Sequence, residues 1–178
     1  MNNSFLDLIK ERRSIRSYRP EQIADDELRA VLEAGTYAPT GHGRQDPWIV
    51  AVQNPAMRER LSRMNASFMN PAPDGDPYYG APTIVLVFCS QPEQCPTGFA
   101  DGSLVLGTMM LAAQAAGLGS CWINREREMF ATPEGRKIMA ELGLPEGLMG
   151  VGALALGYAA APPKPNKPRK DNYYRVIK

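Results

Sequence analysis

Residues 12–19 read Arg-Arg-Ser-Ile-Arg-Ser-Tyr-Arg, so four guanidiniums and two serine hydroxyls fall within eight positions. Guanidinium forks match phosphate oxygens bidentately, and serine adds a short neutral hydrogen bond. Such a cluster is suited to holding a phosphorylated ligand. It equally suits a solvated basic patch at a helix end, where cations complement the dipole. The charge map bears on that choice. The whole chain carries a net charge of only +1. Residues 1–20 hold five Lys/Arg against two acids, and residues 161–178 hold six against Asp171 alone, which leaves −7 for residues 21–160. A nucleic-acid partner calls for an overall basic balance or a basic stripe, so none is expected. Two basic ends that meet on one small polyanion account for the pattern; so do two charged, unstructured termini.

Other chemistry finds little support. The three cysteines, Cys89, Cys95 and Cys121, lack CxxC spacing, which predicts reduced thiols in the cytoplasm. His42 is the only histidine, and no metal site is expected. There is no GxSxG elbow, and Cys121 sits in an apolar run beside Trp122, the setting of an inert thiol. No side chain stands out as a catalytic acid, base or nucleophile, which leaves chemistry carried by a cofactor. Gly150-Val-Gly152-Ala-Leu-Ala155 spells GxGxxA but lies in an apolar strand pattern and opens no helix, so it is not a dinucleotide fingerprint. Gly117-Leu-Gly119 reads as a helix C-cap leading into a strand, or as a turn bringing bare backbone close to a flat ligand.

The elements that must position these residues alternate along one domain of 178 residues. Residues 4–12 read as a short helix, and Asp25 caps a second over 26–36. Residues 38–43 form a loop by composition. Trp48–Val52 is a buried strand, and Asn54-Pro55 starts a helix to about Phe68. Residues 70–82, with four prolines, are a surface excursion. Thr83–Cys89 is a fully buried strand, 99–116 a long helix apolar nearly all round, and Thr132-Pro133 opens a helix closed near Gly143. Leu148–Tyr158 is another central strand, and from Ala161 the chain is Pro- and Lys-rich and extended. No apolar run is long enough to span a membrane, and the start lacks the pattern of a signal peptide. A helix apolar all round must be buried on all sides, which predicts that 99–116 packs on a second copy of the chain.

Five motifs in order now carry a resemblance: Arg12-Arg-Ser-Ile-Arg-Ser-Tyr18, Ala38-Pro-Thr-Gly-His-Gly-Arg-Gln45, Asp76-Pro-Tyr-Tyr-Gly-Ala-Pro82, Leu111-Ala-Ala through Gly117-Leu-Gly-Ser-Cys-Trp-Ile123, and Gly157-Tyr158 with the basic tail. The chain resembles the nitroreductase family of FMN-dependent NAD(P)H oxidoreductases. The resemblance implies an α+β, three-layer fold with a mixed central sheet flanked by helices. It also implies an interlocked homodimer with FMN at the interface, and ping-pong transfer from NAD(P)H, a transient donor, to a nitroaromatic, quinone or similar small acceptor. A non-enzymatic FMN-binding protein of the same fold, or a relative doing other flavin chemistry, is the alternative.

Carried over by position, Arg12, Ser14 and Arg16 fall where the family holds the FMN phosphate and pyrimidine edge, and Arg13 shares the motif. Pro39, Thr40, Gly41 and Gly43 fall on the loop that reaches the flavin from the partner chain. Trp122, Ile123, Asn124 and Arg125 fall along the face and N5 edge of the ring. Lys167 and Arg169 match tail cations that close on the phosphate, and Asn65 matches a further pyrimidine contact. Gly43 and Thr108 stand where asparagine is commoner, and Asp46-Pro47 replaces Pro-Trp. No residue is implied as an obligatory acid or base, since the flavin brings its own hydride chemistry.

Overall fold

The computed structural model describes residues 4–69 and 75–178. Helices α1 (Ser4–Glu11) and α2 (Asp25–Thr36) precede strand β1 (Trp48–Val52) and helix α3 (Pro55–Ser67). Strand β2 (Thr83–Ser90), helix α4 (Gly98–Ala115), strand β3 (Gly119–Ile123), helices α5 (Glu126–Ala131) and α6 (Pro133–Glu141) and strand β4 (Leu148–Gly157) follow. Residues 161–178 carry neither helix nor strand and are exposed throughout.

Local chemistry explains most boundaries. The Asn54 side chain accepts from the Met57 amide at 3.0 Å with Pro55 at the first helical position, and Thr132 Oγ1 does the same for Gly135 at 3.0 Å ahead of Pro133. Asp25 does not cap α2. It is the first helical residue, and the cap is Ala24, whose amide donates to Glu27 Oε2 at 2.9 Å. The long Glu27 side chain reaches back and makes the bond that alanine cannot. At the end of α4, Gly117 takes φ +73, and Leu118 N–H reaches back to the Ala113 carbonyl at 2.8 Å, so the C-cap reading of Gly117 holds.

The strands form one sheet in the order β1-β2-β4-β3. Its three ladders are antiparallel, and among the described residues the one parallel pairing is the isolated bridge of Ser14 to Ser120 beside β3. Both faces are covered, giving three layers. Val85, Val87, Leu154 and Leu156 pack against α2 and α4; Ile84, Leu86, Phe88, Ala153 and Ala155 pack against α3, α5 and α6. Strand β4 switches faces part-way. Val87 pairs with Gly152 and Phe88 with Gly150, so Val151 is an extra residue. That bulge lets Met149 and Val151 face α4 while Ala153 and Ala155 face the other side.

Three expectations change. Trp48–Val52 forms a strand but not a buried one: it lies at the sheet edge, with only Val52 buried and Trp48 45% exposed. The predicted excursion over 70–82 lies partly outside the described residues, and its second half is not wholly a surface segment. Tyr78 and Ala81 are buried, because Asp76 turns the chain inward by accepting from the Tyr78 and Gly80 amides, both at 2.8 Å. Helix α4 buries Val105, Leu106, Met109, Met110 and Ala113 but leaves Phe99 and Leu104 exposed. Helix α1, which touches α4, likewise exposes Phe5, Leu6 and Ile9. No helix among the described residues is long and apolar enough to cross a membrane.

Candidate functional site

The basic segment after α1 runs along the free edge of β3. Ile15 N–H donates to the Ser120 carbonyl at 2.9 Å, and Arg19 N–H to that of Tyr158 at 2.9 Å. Tyr18 locks the segment from below, its hydroxyl donating to the Ile15 and Ala155 carbonyls at 2.9 and 3.0 Å. The C-terminal tail returns to the same place: Ala160 N–H donates to Ser17, and Asn166 Nδ2 to the Lys10 carbonyl at 2.6 Å. Together they line a groove of about 660 Å³ that holds Arg13, Ser14, Arg16, Lys164, Lys167 and Arg169 and no carboxylate. The two basic ends of the sequence therefore meet.

None of Arg12, Arg13, Arg16, Lys167 and Arg169 forms an ion pair with a described residue. Arg13 Nη1 is spent on the Lys10 and Arg12 carbonyls, both at 2.7 Å, which close the end of α1. Arg169 Nη2 reaches Asn166 Oδ1 and the Lys167 carbonyl. Arg12 Nη1 and Arg13 Nε are buried without any partner. A buried guanidinium N–H without an acceptor is costly, and an anion oxygen is the group that would satisfy it.

At the far end of β3 lies a second group. Ser120 and Asn124 are four residues apart, about 13 Å at the rise of an extended strand. Asn65, fully buried on α3, donates from Nδ2 to the Asn124 carbonyl at 2.9 Å and accepts at Oδ1 from Arg125 Nε at 2.9 Å. Arg125 has φ +87, a left-handed conformation rare for a side-chain-bearing residue. Glu126 is buried, with Oε1 taking the Tyr78 hydroxyl at 2.9 Å and Oε2 unpartnered. Ile123 is buried in the core below the sheet, so only its backbone faces the site, and Trp122 packs half-buried on the α4 side with Nε1 unpartnered.

The loop 39–43 does not join these groups within one chain. It leads into β1, at the opposite edge of the sheet from β3, and no hydrogen bond or ion pair between described residues connects it to residues 12–16. Its anchor is Asp101 at the start of α4, buried, whose two oxygens accept from Gly41 N–H at 3.1 Å and, at Oδ2, from Thr97 Oγ1 at 3.0 Å. A Cβ at Gly41 would lie 2.3 Å from Thr97 Oγ1, so glycine is required for this close approach. Thr108 returns its hydroxyl to the Leu104 carbonyl inside α4 at 2.8 Å. A separate cavity of about 610 Å³ between α5, α6 and the start of β4 holds none of the predicted residues.

The profile of the Nitroreductase family matches residues 9–158, from the end of α1 to the residue after β4. The chain belongs to the Nitroreductase family. A nitroreductase with bound FMN from Bacteroides fragilis superposes with a TM-score of 0.91 at 32% identity, covering 99% of this chain and 100% of that one. One from Desulfitobacterium hafniense, also with bound FMN, superposes at 0.89 with 27% identity, covering 99% and 100%. A Bacillus subtilis protein named FMN reductase (NAD(P)H) is 24% identical over 191 residues, covering 94% of this chain and 72% of that one.

In this family member the sequence alone does not mark Tyr78, Glu126 and Asp101 as site residues. Asp101 had a faint signal, as the one acid in an otherwise apolar helix. Tyr78 falls inside the Asp76–Pro82 motif without its role being visible there, and Glu126 had no signal, since their partners are distant in sequence.

Two predictions arise at the site. Burial pushes the Glu126 carboxyl up to about 8, against the pull of its own backbone N–H and the Tyr78 hydroxyl. The folded protein therefore holds a proton that the unfolded chain has lost above its ordinary carboxyl range. Stability falls as pH rises from about 4.5 to about 8, by up to ~1.4 kcal/mol per pH unit. Glu126→Gln mimics the protonated form and should flatten this slope, read as thermal midpoints at pH 5.5 and 8.5. Equal slopes in the two proteins would refute it. The second concerns Cys121. Burial raises its thiol pKa, only partly offset by Arg16, Ser14 and Arg12. Cys121→Ala should keep turnover within about threefold, whereas loss of activity with flavin still bound would indicate a thiol mechanism.

Proposed function

We propose that this nitroreductase-family chain is an FMN-dependent NAD(P)H oxidoreductase, a single domain acting as a homodimer with two flavin sites at its interface. The observation that carries the reading is the groove where residues 13–17 meet the tail, lined by cations without ion pairs and by no carboxylate of the described residues; Arg12, the residue just before it, has a buried N–H lacking an acceptor. Arg12, Arg13, Ser14, Arg16, Lys167 and Arg169 hold the FMN phosphate. The stretch from Trp122 to Arg125, about a strand's length away, supports the ring, and Pro39, Thr40, Gly41 and Gly43 approach it from the other subunit. Bound FMN would supply hydride chemistry between NAD(P)H and a quinone or nitroaromatic acceptor, in two separate half-reactions. The protein's part is to bind, orient and stabilise negative charge with Arg cations and backbone N–H groups.

The test is direct. Purified protein should carry about one flavin per chain, released on heating as FMN, and should oxidise NADH or NADPH with a quinone or nitro acceptor. FAD, or no flavin after reconstitution, would refute the cofactor assignment. Bound FMN without any NAD(P)H oxidation would leave a flavin-binding protein instead of an enzyme.

A further inference from the structure

We propose that Asn65, braced by Glu126 and Tyr78, is a positioning residue that holds the Asn124–Arg125 turn in the shape a bound flavin ring needs. This rests on the assignment of that turn to the flavin site; the internal geometry stands without it.

The amide of Asn65 is spent on protein. One Nδ2 hydrogen serves the Asn124 carbonyl at 2.9 Å, and the other points to Glu126 Oε1 at 3.4 Å. Oδ1 takes the Arg125 Nε–H at 2.9 Å. A primary amide has two N–H donors, so none is left for a ligand. The side chain is fully buried besides. Three of its partners are consecutive residues of one turn, and the fourth, the Tyr78 hydroxyl at 3.5 Å, is the group that also braces Glu126.

The turn needs such a clamp. Arg125 sits at φ +87, where a Cβ crowds the backbone and glycine is the usual occupant. Holding the guanidinium from α3 is what makes arginine tolerable there. Glu126 in turn is fixed from two sides. Tyr78 donates to its Oε1 at 2.9 Å. Behind it, Gly150 of β4 comes so close that a Cβ would lie 2.4 Å from the Glu126 carbonyl oxygen. The turn is therefore wedged between β4 and α3, with the Asn65 amide as the polar link.

Asn65→Ala should free the turn. In the protein stripped of flavin, amide hydrogen exchange at residues 124–126 should rise about tenfold, and FMN and riboflavin should both weaken by about tenfold. Equal loss for the two ligands marks a ring-side effect. Adding Arg125→Gly should bring exchange back to within about threefold of the unmodified protein, because glycine adopts φ +87 without a clamp. Affinity does not report on the clamp in this double variant, since Arg125 itself belongs to the flavin-binding stretch. A packing defect at Asn65 would not be rescued in this way. Tyr78→Phe, which keeps the ring and removes only the hydroxyl brace, should raise exchange at the same amides by a smaller factor; it covers the case that Asn65→Ala does not fold. Unchanged exchange at 124–126 in either folded variant overturns the proposal. So does failure of Arg125→Gly to lower the raised exchange, which would mean that the strain at φ +87 is not what Asn65 holds. If the unmodified protein binds no flavin, the flavin assignment falls, and the exchange data alone decide whether Asn65 holds the turn.

Discussion

Arg12→Ala is expected to weaken FMN by about a hundredfold while leaving riboflavin, which lacks the phosphate, within about threefold. A hydrogen bond to a charged group contributes roughly 1.5–3 kcal/mol, and ~1.4 kcal/mol is tenfold. Arg12 belongs at the upper end, because its Nη1 is buried and has no protein acceptor competing for it. Arg169, exposed and already satisfied in part by Asn166 and the Lys167 carbonyl, belongs at the lower end, near tenfold. Because both act on one anion, the double variant should lose less than the product of the single losses. Titration of apo-protein by flavin fluorescence measures all of this. Equal weakening of riboflavin by Arg12→Ala would remove the phosphate from the groove, and strictly multiplicative losses would place the two arginines on different groups.

Leu104→Glu is expected to break the dimer and, with it, flavin binding. Leu104 is 48% exposed in the single chain although it lies on the most apolar helix of the fold. Phe99 on the same helix and Phe5, Leu6 and Ile9 on the adjoining α1 are also exposed, several large apolar side chains on two touching helices. A second copy of the chain would cover them. A carboxylate placed there would be buried without a partner, a penalty of about 3–5 kcal/mol, or at least a hundredfold in the dimer dissociation constant. Sedimentation at micromolar concentration should show a dimer for the unmodified protein and a monomer for the variant. The variant should also lose FMN, since the loop 39–43 lies away from the phosphate groove of its own chain. A folded monomer that retains FMN would overturn both the interface and the shared site.

The residues differ in how far the sequence exposes them, and the reasons are physical. The caps at Asn54 and Thr132 are local: the acceptor and the amide it serves lie three residues apart, so the motif is complete in the text of the chain. The arginines of residues 12–16 are legible for the same reason, since phosphate affinity is a property of residue type. Helix α5 escaped because six residues are too few to display a helical period. The bulge at Val151 escaped because an extra residue shows only against its neighbouring strand.

From sequence alone came the family, the order of most strands and helices, and the chemistry of the basic ends, because each depends on residue types and short spacings. Tertiary structure decided that those two ends share one groove, through bonds such as Asn166 to Lys10, 156 residues apart. It decided equally that Asn65, Tyr78 and Glu126 form one buried unit, and that Asp101 anchors Gly41. Burial and desolvation exist only once the sheet has brought distant segments together. A glutamate in the sequence is an ordinary acid; only burial, outweighing the opposing pull of the Tyr78 hydroxyl, raises its pKa to about 8.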